Sequence, residues 1–203
     1  MASPGPEQRQ DVVLPLHGGP SFSKANRVVR LVWMFTWWAL GSWTPPMLHP
    51  WRRFLLRLFG AKMGRRSDVR GSSRVWLPAN LELGDHALIA QGVKCYNQAA
   101  IWLGEWALVS QGAHLCAGTH DIDDPNFPLI ARPIRIGAFA WVAADAFVGP
   151  GCTIGEGAVL GGASVAFGRL EDWMVYVGNP ARPLRARQHV SREIGASRPS
   201  ERA

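Results

Sequence analysis

Over 203 residues the chain is 47% apolar and 18% charged, enough to bury one sizeable core and too apolar for wholesale disorder. Twenty-two Lys and Arg against fifteen Asp and Glu give a net charge of +7, which favours anionic partners such as phosphates or headgroups without choosing between them. Cys95, Cys116 and Cys152 form no CxxC pair and leave an odd thiol however two are bridged, so reduced core thiols and a cytoplasmic compartment are expected.

Residues 1–21 are polar and punctuated by Pro and Gly, with no basic segment followed by an apolar core. They read as a disordered leader without a secretion signal. Residues 22–62 read as a helical cap. Its first part holds an apolar run, Leu31 to Trp43, that ends at Thr44-Pro45-Pro46 after 13 residues, whereas a bilayer span needs about 20. In Pro50 to Phe59, Trp51, Phe54, Leu55 and Leu58 fall at i, i+3, i+4 and i+7, with Gly60 as the stop, which predicts an amphipathic helix.

From Met63 onward the chain can be written in sixes. IGAFAW, VAADAF, VGPGCT, IGEGAV and LGGASV follow one another from Ile136, each opening on an aliphatic residue and carrying Ala, Cys or Ser in fifth place. The same frame opens at Leu103, Val109 and Leu115; at Leu83, Ile89 and Cys95; and at Met63, Val69 and Val75. A period of six suits neither an α-helix nor an open sheet, and it is the signature of a parallel β-helix with three sides per turn. Eighteen residues then make a turn, which stacks Ile136 on Ile154 and Val142 on Leu160. Two-residue slips after Val75 and Cys95 read as bulged corners. The jump from Leu115 to Ile136 leaves residues 120–135 as a long excursion from the prism, where function tends to sit. The helix domain is expected over 63–177. After it, Gly178-Asn179-Pro180 should turn the chain away into a basic extension, 178–203, with its last dozen residues disordered.

The hexads, the loop opened by Gly118-Thr119-His120-Asp121, Trp141 after Ile136-Gly137, and the ending Gly178-Asn179-Pro180-Ala181-Arg182 resemble the hexapeptide-repeat acyltransferases. Within that family the chain is most similar to the maltose/galactoside O-acetyltransferase group and to the colanic acid biosynthesis acetyltransferases, from about Phe22 to Arg187. The resemblance implies a left-handed β-helix, a homotrimer, acetyl-CoA as acetyl donor in a cleft between subunits, a sugar or glycan acceptor and no metal.

Acetyl transfer needs a base for the acceptor hydroxyl, and an imidazole, with a reference pKa near 6.5, can take and return that proton. The resemblance gives this role to His120. It also carries over Asn97, in Cys95-Tyr96-Asn97-Gln98, to a place beside the acceptor; the alternative is a corner asparagine bonded to nearby backbone. Asp121, Asp123 and Asp124 can orient His120, bind sugar hydroxyls or simply be solvated. The small residues Ala143, Ala144, Gly161 and Gly162, which corners need in any case, keep the prism wall low enough for a pantetheine arm, and Trp141 resembles a tryptophan lining that channel or else makes a trimer contact. Arg182 and Arg185 either meet the CoA phosphates or form a solvated basic tail. Relatives place Thr-Lys where this chain has Phe167-Gly168, which leaves Arg169 as the candidate substitute for the lysine. Other readings are a trimeric scaffold without activity and an acetyltransferase for a different small acceptor. A zinc enzyme on the same solenoid is disfavoured, because His114 and His120 fall on different sides of the prism.

The tryptophans Trp33, Trp37, Trp38 and Trp43 are too many for one narrow stripe. They must be covered by the second helix, by the open end of the solenoid or by lipid, and the cap is the preferred use. In the lipid reading Arg27, Arg30, Arg52, Arg53 and Arg57 would face headgroups at a membrane surface.

Overall fold

A side chain that points inward once per six residues can build a prism wall only if each turn stacks in register on the last. The computed structural model, which describes residues 22–188, has that arrangement. Its first face carries six parallel strands, from Lys62–Met63 through Leu81–Leu83, Ile101–Leu103, Ile134–Ile136 and Thr153–Ile154 to Arg169–Leu170. The second face runs from Asp68–Val69 to Met174–Val177, and the third from Arg74–Val75 to Val165–Ala166. Ile136 pairs with Ile154 and Val142 with Leu160, as the period requires. The aliphatic first positions form the core, and the small fifth positions Ala140, Ala146, Cys152, Ala158 and Ser164 are buried beside them at the corners. Those corners have no room for a larger side chain.

On the third face Val75 pairs with Cys95 and Cys95 with Leu115, twenty residues apart each time. The two extra residues per turn go into the corner between third and first faces, where Pro78–Asn80 makes a 3-10 turn. The excursion is itself structured. Gly118–His120 pairs antiparallel with Leu129–Ala131, and Ala117 O accepts from Arg132 N at 2.8 Å to close the neck. The chain has rejoined the first face by Ile134, which pairs with Ile101.

Two helices occupy the N-terminal end, α1 (Lys24–Leu40) and α2 (His49–Leu58). Ser23 caps α1 by accepting from Asn26 N. Trp33 and Trp37 are buried against the first turn, which has no rung below it. Trp33 Nε1 donates to Val75 O at 2.7 Å, and Trp37 Nε1 to Gly71 O and Ser73 O at 3.0 Å each. The indoles thus give apolar cover and partners to carbonyls at the open edge. Arg52 is fully buried and not available to headgroups: it grips Asp68 with Nε and Nη2 and donates to Thr44 O, Pro45 O and Pro46 O. One guanidinium thereby ties the α1–α2 connection and α2 to the second face.

The C-terminal segment departs from expectation. Instead of leaving the solenoid after Gly178, the chain doubles back through a cis Asn179–Pro180 bond. Arg182–Ala186 then adds an antiparallel strand to Met174–Val177. Arg187 donates to Phe139 O and Gly157 O and pins the end of this strand to the turns beneath. The added strand covers an edge that would otherwise offer unpaired backbone groups. The disorder expected for 1–21 and for the last dozen residues lies outside the described residues.

Candidate active site

Gly118–His120 leaves the third face at its corner with the first, and His120 ends this strand with its ring exposed. The ring lies flat on Phe127, with centroids 4.5 Å apart and planes 9° from parallel, and Nδ1 is 2.9 Å from Phe127 O. A carbonyl oxygen only accepts, so Nδ1 carries the proton and Nε2 is the ring's basic atom. Stack and hydrogen bond together fix ring plane and tautomer with no carboxylate involved. Asp121 and Asp124 are occupied by their own turns, accepting from Asp123 N and Asn126 N. Phe127, which orients the His120 ring, carried no signal in the sequence: the seven-residue separation becomes a contact only when the arm folds back.

Asn97 is placed differently from the acceptor role carried over to it. Its side chain is fully buried; Oδ1 accepts from Trp76 N and Leu77 N at 3.1 Å each, and Nδ2 donates to Leu77 O at 2.7 Å. The amide is spent on the bulged corner of the turn below, where the extra residues leave backbone groups without a regular rung. The corner alternative is the one the structure adopts. Gln98, next in the chain, is the residue that reaches the excursion: it packs so closely over Gly118 that a Cβ there would lie 1.6 Å from Gln98 Oε1. Gln98 Nε2 donates to the Tyr96 hydroxyl at 2.7 Å. A larger residue at position 118, two before His120, would therefore displace the Gln98 amide.

The small residues expected along the cofactor path fall on one edge, the corner between second and third faces. Ala143 N donates to Leu160 O and Gly161 N to Tyr176 O on successive turns, and Ala163 N donates to Ala144 O beneath. Trp141 stands on the second face beside this edge, half exposed, its Nε1 donating to Ser110 Oγ at 2.8 Å. Arg182 pairs with Val177, one rung above Gly161, so the returning strand puts a cation at the top of the column. From the Ala143 rung to the Arg182 rung is about 14 Å at 4.8 Å per strand. Arg185, opposite Val175, is also exposed. Arg169 is not on this column. It lies on the first face opposite Thr153, with its Nε 3.6 Å from Glu171 Oε1, so it does not replace the missing lysine. Phe167 instead packs over Gly149 and leans on Phe147.

Two other histidines have packing roles: His86 stacks on Trp106 at 3.9 Å and His114 meets the Phe147 ring edge-on. Burial and the neighbouring Lys94 lower the His114 pKa, which favours its neutral form. Among the described residues no three His, Cys, Asp or Glu side chains stand close enough to hold a metal ion.

Comparison with known proteins decides the family. The chain is 40% identical over 173 residues to the colanic acid biosynthesis acetyltransferase WcaF of Escherichia coli (strain K12), covering 83% of this chain and 95% of that one. The chain belongs to the hexapeptide-repeat acetyltransferases. No family model matches. A maltose O-acetyltransferase from Clostridium difficile 630 has the same fold, with a TM-score of 0.74 at 21% identity over 82% of this chain and 90% of that one. So does a hexapeptide-repeat acetyltransferase of Vibrio cholerae O1 biovar eltor, solved with acetyl-coenzyme A bound, with a TM-score of 0.75 at 22% identity over 86% and 96%. As an acetyltransferase of this family, the chain needs an acetyl donor, a hydroxyl or amine acceptor and a base, and His120 is the candidate for the base.

Proposed function

We propose that this acetyltransferase moves the acetyl group of acetyl-CoA to a sugar hydroxyl during assembly of a surface polysaccharide. The observation that carries the reading is the exposed His120, whose Nδ1 is bonded to Phe127 O at 2.9 Å and whose Nε2 is thereby left as the basic atom. The Nε2 atom takes the hydroxyl proton as the sugar oxygen attacks the thioester carbon. The tetrahedral oxyanion collapses, the C–S bond breaks, and the imidazolium returns the proton to the CoA thiolate. The 40% identity to a protein named for colanic acid biosynthesis supports a polysaccharide acceptor.

The reading includes a homotrimer with its cleft between subunits. His120 stands at one edge of the third face and the small-residue column at the other. The strand between them spans about five residues, or roughly 16 Å, while proton transfer needs contact near 3 Å. A thioester lying low in that column meets the His120 of a neighbouring subunit rather than its own. The second face also turns Leu88, Leu108 and Trp141 outward in one ladder, an apolar surface suited to a subunit contact. Trp141, Ala143, Ala144, Gly161 and Gly162 would hold the pantetheine arm, and Arg182 and Arg185 the phosphates.

An acceptor screen with acetyl-CoA, read by release of free thiol, tests the reading. Turnover with a glycan or nucleotide-linked sugar is the expected outcome. Turnover confined to small non-sugar hydroxyls or amines would replace the acceptor class, and no turnover with any acceptor would favour the scaffold.

A further inference from the structure

We infer that the N-terminal helix pair is a docking surface for an anionic lipid bilayer, lying flat in the interface while its inner side caps the solenoid. Trp33 and Trp37 account for the inner side of α1. On the opposite side Lys24, Val28, Leu31, Phe35 and Trp38 recur at helical spacing, and all are exposed, Trp38 by 71%. Residues 43–58 repeat the division. Arg52, Leu55 and Leu56 face the solenoid, while Trp43 (70% exposed), Met47 (77%), Phe54 and Leu58 face out. The two helices are joined at this surface, because Trp51 Nε1 donates to Leu40 O at 2.8 Å and its ring stacks on Phe54. An apolar surface of this extent is rare on a protein that meets only water.

Charge selects the occupant. Residues 22–66 contain nine Lys and Arg and no Asp or Glu. Lys24, Arg27, Arg53, Arg57 and Arg66 have no carboxylate partner among the described residues. A protein partner would match the apolar side alone, whereas an uncompensated cationic border around exposed Trp, Phe, Leu and Met fits the headgroup layer of an anionic membrane. No helix among the described residues is long and apolar enough to cross a membrane, so the pair lies on the bilayer. The inner half of each helix also stays engaged with the first turn, so docking needs no unfolding of the cap.

The test is co-sedimentation of the full chain with vesicles of phosphatidylcholine alone or mixed with phosphatidylglycerol, at low and high salt. The protein should pellet with the mixed vesicles, on the order of ten-fold less with phosphatidylcholine alone, and less again at high salt. Trp38→Glu combined with Trp43→Glu should abolish pelleting while leaving the melting temperature, sedimentation coefficient and acetyl transfer to a soluble acceptor unchanged. Lys24→Glu with Arg27→Glu, both exposed on α1, should weaken pelleting in the same way. Wild-type protein that stays in the supernatant overturns the proposal. So does a tryptophan variant that pellets undiminished, or one that changes oligomeric state, since the surface would then be a subunit contact.

Discussion

At the residue scale, His120 and Asn97 separate cleanly. His120 has an exposed ring, a fixed tautomer and nothing else to hold up, so His120→Ala should lower kcat by about two to four orders of magnitude with an unchanged melting temperature. Steady-state kinetics beside thermal unfolding checks both halves, and an unchanged rate would remove the mechanism. Asn97→Ala should behave in the opposite sense. It leaves the buried Leu77 N–H without a partner and removes one of two bonds at Trp76 N and Leu77 O, for a loss of about 1–3 kcal/mol in denaturant unfolding, while kcat of the folded fraction changes little. The buried thiols add a pH signature. Burial pushes Cys95 and Cys152 up to about 12 from 9.0, so the unfolded chain releases these protons first as pH rises. Their contribution is complete below pH 9 and is lost between 9 and 12, with a slope of about 1.4 kcal/mol per pH unit for each thiol. Replacing either Cys by Ala should flatten the alkaline limb of a stability–pH curve.

At the element scale, the first turn of the solenoid depends on α1. Trp33 and Trp37 donate to three carbonyls that no lower rung can reach and fill the open end of the core. Replacing both with Leu keeps much of the apolar cover but removes the donors. A loss of about 2–4 kcal/mol is expected, with hydrogen exchange rising first at the first turn and not at the distal ones. Deleting residues 1–44 should prevent folding altogether, which circular dichroism would read. The excursion arm contributes little to this stability, because its strands are short and largely exposed; its closed neck serves to hold the ring of His120 in place.

At the scale of the whole molecule, the proposed function divides the site between two edges of one prism, so on that proposal activity should require association. Sedimentation at active concentrations should give about three times the mass of the 22.3 kDa chain. Mixing His120→Ala subunits with subunits carrying Arg182→Glu and Gly161→Trp should restore part of the rate through the one kind of cleft that keeps both intact halves. An active monomer, or mixtures with no recovery, would return the whole site to one chain.

What the sequence determined by itself follows from repetition. A six-residue period of inward aliphatics admits one wall geometry, so the stacking of Ile136 on Ile154 and the bulges after Val75 and Cys95 were legible before any coordinates. The place of His120 at the mouth of the excursion was legible too, because the period breaks beside it. The rest depended on contacts without a period. The amide of Asn97 finds its backbone partners only across a turn, and Phe127 reaches His120 only when the arm closes. The tail after Gly178 pairs with Met174–Val177 because the last rung leaves an edge open. The tryptophans of α1 divide into inner and outer sets only once the helix lies on the solenoid. Local pattern fixes which way a side chain points along its own strand or helix; tertiary structure alone decides what waits there to meet it.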